Sequence, residues 1–288
     1  MKLRYLVLAA CLAYGGAALA VEQEETFTDL KPGKDMLDPG RLSELLRQND
    51  VRAMNNIALL WAKGYDGKQS YEEALKWWKE AARRGYTVAM NNIGLAYANG
   101  HGVTQDYTQA LEWWHQSAFL GNAWAMNSVG DSYENGLGAP RNLLMAMTWY
   151  QSAAEQGEPM AMYNIGALYE AGSGVTRDDA EALAWFRKSA KLGYASAMHR
   201  IGEMYVQGRS VNADPAEALA WYSVADKRYT PEDAAEAKTN RKAIDELTRK
   251  LDAQQQAKAR ERAAALEVMN QPPKREAPKA LQPGEKST

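Results

Sequence analysis

Residues 89–124 read AMNNIGLAYANGHGVTQDYTQALEWWHQSAFLGNAW, and the pattern they carry occurs five times at an unbroken spacing of 36 residues. The copies start at Ala53, Ala89, Ala125, Ala161 and Ala197, and each opens with Ala-Met. An aromatic pair recurs in the same phase at Trp77-Trp78, Trp113-Trp114, Trp149-Tyr150, Trp185-Phe186 and Trp221-Tyr222. A fixed period of this size marks a solenoid, in which small supersecondary units bury their apolar faces by stacking on one another. The pattern points to a binding scaffold rather than to a reaction.

Within a unit, Met90, Ile93, Gly94 and Tyr97 recur every three or four residues, the spacing of one helix face, and Gly100 ends that helix. A second helix starts at Ser70, Asp106, Asn142, Asp178 and Asp214, side chains that accept from the free N–H groups of a first turn. Three residues on stand Glu73, Gln109, Met145, Glu181 and Glu217, so four copies approximate a reciprocal capping box. Pro215 follows its cap directly, where a missing N–H costs nothing. The second helix runs through Ala110, Leu111, Trp113, Trp114 and Ala118 and stops before Gly121, with Gly85, Gly157 and Gly193 as counterparts suited to a left-handed cap. Ala58, Gly94, Gly130, Gly166 and Gly202 are small enough to let a neighbouring helix close in and receive the aromatic pair, both members of which are expected in the core.

The Ala-x-x-x-x-Gly-x-x-Tyr opening, the Gly-x-Gly-Val loop (Gly100 to Val103, Gly172 to Val175) and the Ala-Leu-x-Trp-Tyr close together resemble the Sel1-like repeat, a relative of the tetratricopeptide repeat. Copy one departs from the loop pattern with Tyr65-Asp66-Gly67-Lys68 and copy three with Leu137-Gly138-Ala139-Pro140. The resemblance implies an all-α, right-handed α-solenoid of five helix pairs, over residues 53–88, 89–124, 125–160, 161–196 and 197–230.

Around that array the chain divides as follows. Residues 1–20 carry Lys2 and Arg4, an apolar run and Ala18-Leu19-Ala20 before an abrupt turn to acidic sequence, which reads as a signal peptide cleaved after Ala20 and places the protein in the periplasm or outside the cell. The alternative is a lipoprotein box at Leu8-Ala9-Ala10-Cys11, which would lipidate Cys11 and tie the protein to a membrane. Residues 21–38 read as a loose leader. Residues 39–52, with Leu42, Leu45 and Leu46, read as an N-terminal capping helix. At the far end Thr230-Pro231-Glu232-Asp233 starts a helix expected to run to residue 268, with Ile244, Leu247 and Leu251 on the last repeat and the Ala-rich stretch beyond largely solvated. Residues 269–288 have the Pro-rich composition of a disordered tail.

Charge and chemistry narrow the function. Cleavage removes Lys2 and Arg4 and no acid, taking the formal net charge from −2 to about −4, so no basic surface for nucleic acid is implied. The mature chain would hold no cysteine. His101, His115 and His199 have no ligand-spaced partner, so no metal site is expected. No nucleophile elbow or phosphate-binding glycine loop occurs, no cofactor is expected, and the chain reads as a non-enzyme. The competing reading is a cell-envelope or peptidoglycan-associated enzyme of the kind some relatives have been linked to, but the Ser-x-x-Lys and cysteine framework are both missing.

The resemblance implies that the first helices line a concave groove that holds a protein or peptide, with roles in regulation, envelope assembly or toxin neutralisation, the protein itself being a monomer. Candidate contact residues are Asn55, Asn91, Asn127, Tyr163 and His199, which follow the Met of each copy, since an Asn amide both donates to and accepts from a peptide backbone. Their neighbours Asn56, Asn92, Ser128, Asn164 and Arg200 are better read as bonds between helices. Asp131, Glu134, Glu170 and Glu203 would make the C-terminal half of the groove acidic and favour a basic partner.

Overall fold

The computed structural model describes residues 50–64 and 68–270. The expected signal peptide and leader lie outside the described residues, as do 39–49 of the expected capping helix and 271–288 of the tail; residues 50–52 instead cap and begin the first helix of the array, and 269–270 end the last described helix. Ten helices form the array: α1 (Val51–Lys63), α2 (Tyr71–Arg83), α3 (Thr87–Asn99), α4 (Tyr107–Phe119), α5 (Ala123–Asn135), α6 (Leu143–Glu155), α7 (Pro159–Ala171), α8 (Asp179–Lys191), α9 (Ala195–Gln207) and α10 (Pro215–Asp226). Each helix packs most extensively on its pair partner, and the second helix of each pair packs on the first helix of the pair that follows, so the array is an α-solenoid.

The caps form as the residue types dictate. Asp106, Asp178 and Asp214 each accept two backbone N–H bonds, while Ser70 and Asn142 accept one. The reciprocal half of the expected capping box is not made in the repeats. Glu73 instead pairs with Lys76, Gln109 donates to Glu112, and Glu217 accepts from Trp221 and Arg262, each a partner further along the helix or beyond it.

The two members of the aromatic pair do different work. Trp78, Trp114, Tyr150, Phe186 and Tyr222 are buried over the small residue of their own first helix. A Cβ at Gly130 would lie 2.5 Å from the Tyr150 ring, and at Gly94 only 2.3 Å from Trp114 Nε1. The ring occupies the space a methyl group would need. In copy one Ala58 fills this position, and there the Trp78 indole N–H has no acceptor, whereas Trp114 donates to the Asn91 carbonyl at 3.4 Å. Of the first members only Trp221 is buried. Trp149 is half-buried and meets His115 edge-on at 5.3 Å, tying copy three to the second helix of copy two. The expectation that both members are core is corrected accordingly.

The loops lock neighbouring units. Gly102, Gly138 and Gly174 have φ of 71°, 76° and 75°, and a Cβ on Gly138 would sit 2.2 Å from the Tyr107 carbonyl oxygen. Copy five has Ser210 at the equivalent position with φ 58°, the one non-glycine among the described residues in this left-handed region.

The C-terminal helix is not continuous. A 3-10 turn, Pro231–Asp233, leads to α11 (Ala234–Lys250), Leu251 turns extended, and α12 (Ala253–Met269) restarts. Asp252 and Gln255 cap α12 reciprocally, which stabilises the restart, and Leu251 is buried at the bend. Both α11 and α12 pack on α10. The Ala-rich stretch is largely solvated, with one seam packed on α10: Ala259, Ala263 and Leu266 are buried, and Lys258 and Arg262 reach Asp214 and Glu217 at 2.9 Å.

Burial sets an ordering that denaturation can check. Tyr150→Ala removes a ring with no exposed surface and should cost about 3–5 kcal/mol, whereas the half-buried Trp149→Ala should cost about 1–2 kcal/mol. Equal losses in urea titrations would show that the two positions are not divided between inner and outer contacts.

Candidate functional site

The candidate residues lie on the first helices α1, α3, α5, α7 and α9, one turn into each. Asn55, Asn91 and Asn127 are 1 %, 6 % and 1 % exposed, too little for a partner to touch. They bond between repeats instead. Asn92 donates to Asn55 Oδ1 at 3.0 Å and Asn164 donates to Asn127 Oδ1 at 3.0 Å, so the residue after Met in one copy pairs with the second residue after Met in the next. Asn91 breaks the sequence by donating to Asn122 at 2.9 Å, because Ser128 stands where the partner amide would be and donates instead to the Trp124 carbonyl within its own helix. These amides bond to one another across buried helix faces, although Asn55 Nδ2 and Asn91 Oδ1 are left without a partner.

The last two candidates in this series sit differently. Tyr163 is half-buried, its ring 5.5 Å from Phe186 and 5.3 Å from Tyr194. His199 Nδ1 lies 2.9 Å from Asn240 Oδ1 of α11, and its ring rests on Tyr222 at 4.9 Å. Asn240 is fully buried and also donates to the Tyr222 carbonyl, so α11 closes the end of the array with the same amide chemistry that joins its repeats.

The four acidic candidates divide into two groups. Glu170 is buried between Arg200 and Arg209, the latter at 2.6 Å, and Glu203 accepts from Arg200 at 2.5 Å. Both are charge-compensated, so the acidic C-terminal half expected of the groove is largely neutralised. Asp131 and Glu134 of α5 have no cationic partner among the described ion pairs and converge on the Tyr150 hydroxyl, at 2.6 Å and 2.7 Å. Asp131 also accepts from Asn127 at 3.3 Å and Asn164 at 3.2 Å. Burial pushes its carboxyl up to about 7, against the opposing pull of the Tyr150 and Asn127 bonds. Glu158, buried at the cap of α7, is likewise pushed up to about 7 by burial. Burial also lifts the Tyr150 hydroxyl well above its ordinary value, so it remains a donor.

Of the nine candidates, Asp131, Glu134, Tyr163, His199 and Glu203 therefore keep some exposed surface, all on α5, α7 and α9. Asn164, Arg200 and Arg209 bond to the acidic candidates, and the buried Tyr150 and Glu158 lie beneath them; none of the five was singled out as a contact. The sequence signal for the amide ladder is a separation of 37 residues, one period plus one, and Arg200 announces the change from amide to ion pair by replacing Asn at its position. Among the described residues, no group of three or more His, Cys, Asp or Glu is arranged to hold a metal ion, and no helix is long and apolar enough to cross a membrane.

Asn92→Ala should cost about 1–3 kcal/mol by stranding Asn55 Oδ1 in the interior. A thermal-melt comparison giving no loss would mean that the amide bond between repeats contributes nothing.

The Sel1 repeat family model matches residues 51–86, 87–122, 125–158, 159–194 and 195–225, in four copies beginning two residues before the Ala-Met step. Among solved structures, a Sel1 repeat protein from Oxalobacter formigenes is 27 % identical with a TM-score of 0.60, over 73 % of this chain and 87 % of that one. A protective antigen present in uropathogenic Escherichia coli strains, displaying an SLR fold, is 26 % identical with a TM-score of 0.63. That match covers 92 % of this chain, which spans 56 % of the antigen's length. No curated protein is significantly similar in sequence. With five matched copies over most of its length, and the helix pairs to go with them, the chain belongs to the Sel1 repeat family.

Proposed function

We propose that the protein is a non-catalytic scaffold of the bacterial envelope that holds a protein or peptide partner along α5, α7 and α9. Sel1 repeat proteins are in general protein-interaction scaffolds. The observation that carries the reading is the division of the first helices: their N-terminal copies spend their polar side chains on one another, while Asp131, Glu134, Tyr163 and Glu203 retain exposed surface on successive units. A basic side chain of the partner is directed at Asp131 and Glu134, the two candidate acids that no arginine or lysine compensates. Location in the periplasm is supported by the signal-peptide pattern of residues 1–20.

The test is affinity capture from a periplasmic extract with the mature protein, compared with a Glu134→Lys, Glu203→Lys variant shown by circular dichroism to keep the helical fold at the capture temperature. Loss of one dominant partner is expected, each reversed contact contributing roughly 1.5–3 kcal/mol. If the partner survives those changes and disappears when residues 271–288 are deleted, the array is a spacer and the tail is the binding element. The deletion begins at residue 271 because α12 is part of the folded end. A protein absent from the periplasmic fraction, or one whose processed chain does not begin at Val21, contradicts the proposed location.

A further inference from the structure

The contact of Asp131, Glu134 and Tyr150 poses a hydrogen-counting problem. Two carboxyl oxygens lie 2.6 Å and 2.7 Å from one phenolic oxygen, which carries a single hydrogen. It can donate to one of them. The other contact needs a second hydrogen, and a protonated carboxyl is the group present that can supply it. Asp131 is already the acceptor for Asn127 and Asn164, so the bonding pattern is complete when the trio holds one carboxyl proton. With both carboxyls ionised, two anions would share one hydrogen in a partly desolvated site.

The position of the trio gives that proton a structural consequence. Asp131 and Glu134 are on α5 and Tyr150 on α6, both in the third repeat, while Asn164 on α7 belongs to the fourth. Asn164 divides its amide between Asn127 Oδ1 and the same Asp131 Oδ1 that meets Tyr150. Glu158 at the head of α7 adds a third buried acid close enough to disfavour ionisation of Asp131. Of the other charged or titratable groups, Arg141 of the α5–α6 loop donates to the Glu134 backbone carbonyl at 2.9 Å on the exposed side and makes no ion pair with either carboxyl among the described residues. His115 of α4 meets Tyr133, two residues on from Asp131 and therefore on the opposite flank of α5. From α8 the group set against α7 here is the uncharged Phe186, and Arg200 of α9 is held by Glu170 and Glu203.

We propose that Asp131, Tyr150 and Glu134 form a proton-dependent latch between α5 and α6 of the third repeat, against which Asn164 of the fourth repeat is seated, closed while the trio holds one carboxyl proton and loosened when that proton is lost. The sign of the stability change follows. Unfolded, Asp131 and Glu158 titrate near the ordinary carboxylate value of about 4. Folded, burial holds each at about 7. Between those values the folded chain binds more protons than the unfolded one, so the contribution is full below about pH 4 and is lost as pH rises through about 7. This is opposite to the behaviour of an ion-paired carboxylate.

The experiment follows the full mature chain from pH 5.5 to 8.5, recording urea midpoints, amide exchange corrected for intrinsic rate, and carbon-13 carboxyl shifts. The expected result is an Asp131 titration midpoint near 7, a falling urea midpoint, and several-fold loss of protection in α5 and α7 with α3 as the reference. Glu134→Gln supplies a permanent N–H to Tyr150 and should remove at least half of the pH-dependent fall. If that variant does not fold, Asp131→Asn serves the same comparison. An Asp131 midpoint below 5, or a variant with the wild-type pH dependence, overturns the latch.

Discussion

An aromatic ring lying against the backbone of a facing helix is the contact on which the array depends. In four copies the second aromatic of the pair covers a glycine so closely that a Cβ would approach its ring or ring nitrogen to between 2.3 and 2.7 Å. That proximity lets the two helices of a unit pack along their length, and alanine or serine at further crossing points completes it. Ala74, Ala110, Ala146, Ala182 and Ala218 are all fully buried, as are Ala81, Ser117, Ala153, Ser189 and Ala225. Because every unit repeats the same geometry, the units stack without adjustment, and the stacking faces carry little freedom to vary. Function is then left to side chains outside those faces.

The polar groups solve a different problem. Helix faces brought together between repeats bear amides and carboxyls that must find partners once water is excluded, and the chain answers with three chemistries in succession. Amide pairs join the first repeats, Asn164 ties the fourth repeat to Asn127 and to the carboxyl and tyrosine cluster of the third, and arginines bridge the fourth and fifth through Glu170. At the C-terminal end Asn240 of α11 takes up the amide role and α12 covers α10. The change of chemistry along one face is what distinguishes the surface of the C-terminal repeats from that of the first two.

The repeat, its helices and their caps were legible because each is written locally: a 3.6-residue spacing, an Asp or Ser before the turn, a Gly after it. The bend at Leu251 was missed although Asp252 and Gln255 spell a helix start, because the high helical propensity of the alanines around it hid the signal. What could not be read was which member of each aromatic pair lies inside, since Trp149 and Tyr150 are adjacent and equally apolar. Only the position of the facing glycine decides it. The candidate site was half legible for a similar reason. Asn91 and Asn127 look like ligand-reading residues on their own helices, and become structural only when the cap of α5 supplies Asn122 and α7 supplies Asn164.

If ring-to-glycine packing in phase is what holds the molecule together, the chain should tolerate loss of a whole period and not of a fraction of one. The direct measurement compares cooperative urea unfolding of a chain lacking residues 89–124, which joins Val88 to Ala125, with that of a chain lacking residues 89–118. The account predicts a single cooperative transition with a reduced midpoint for the first and loss of cooperative unfolding for the second. Equal folding of the two chains, or failure of the in-phase deletion alone, would contradict it.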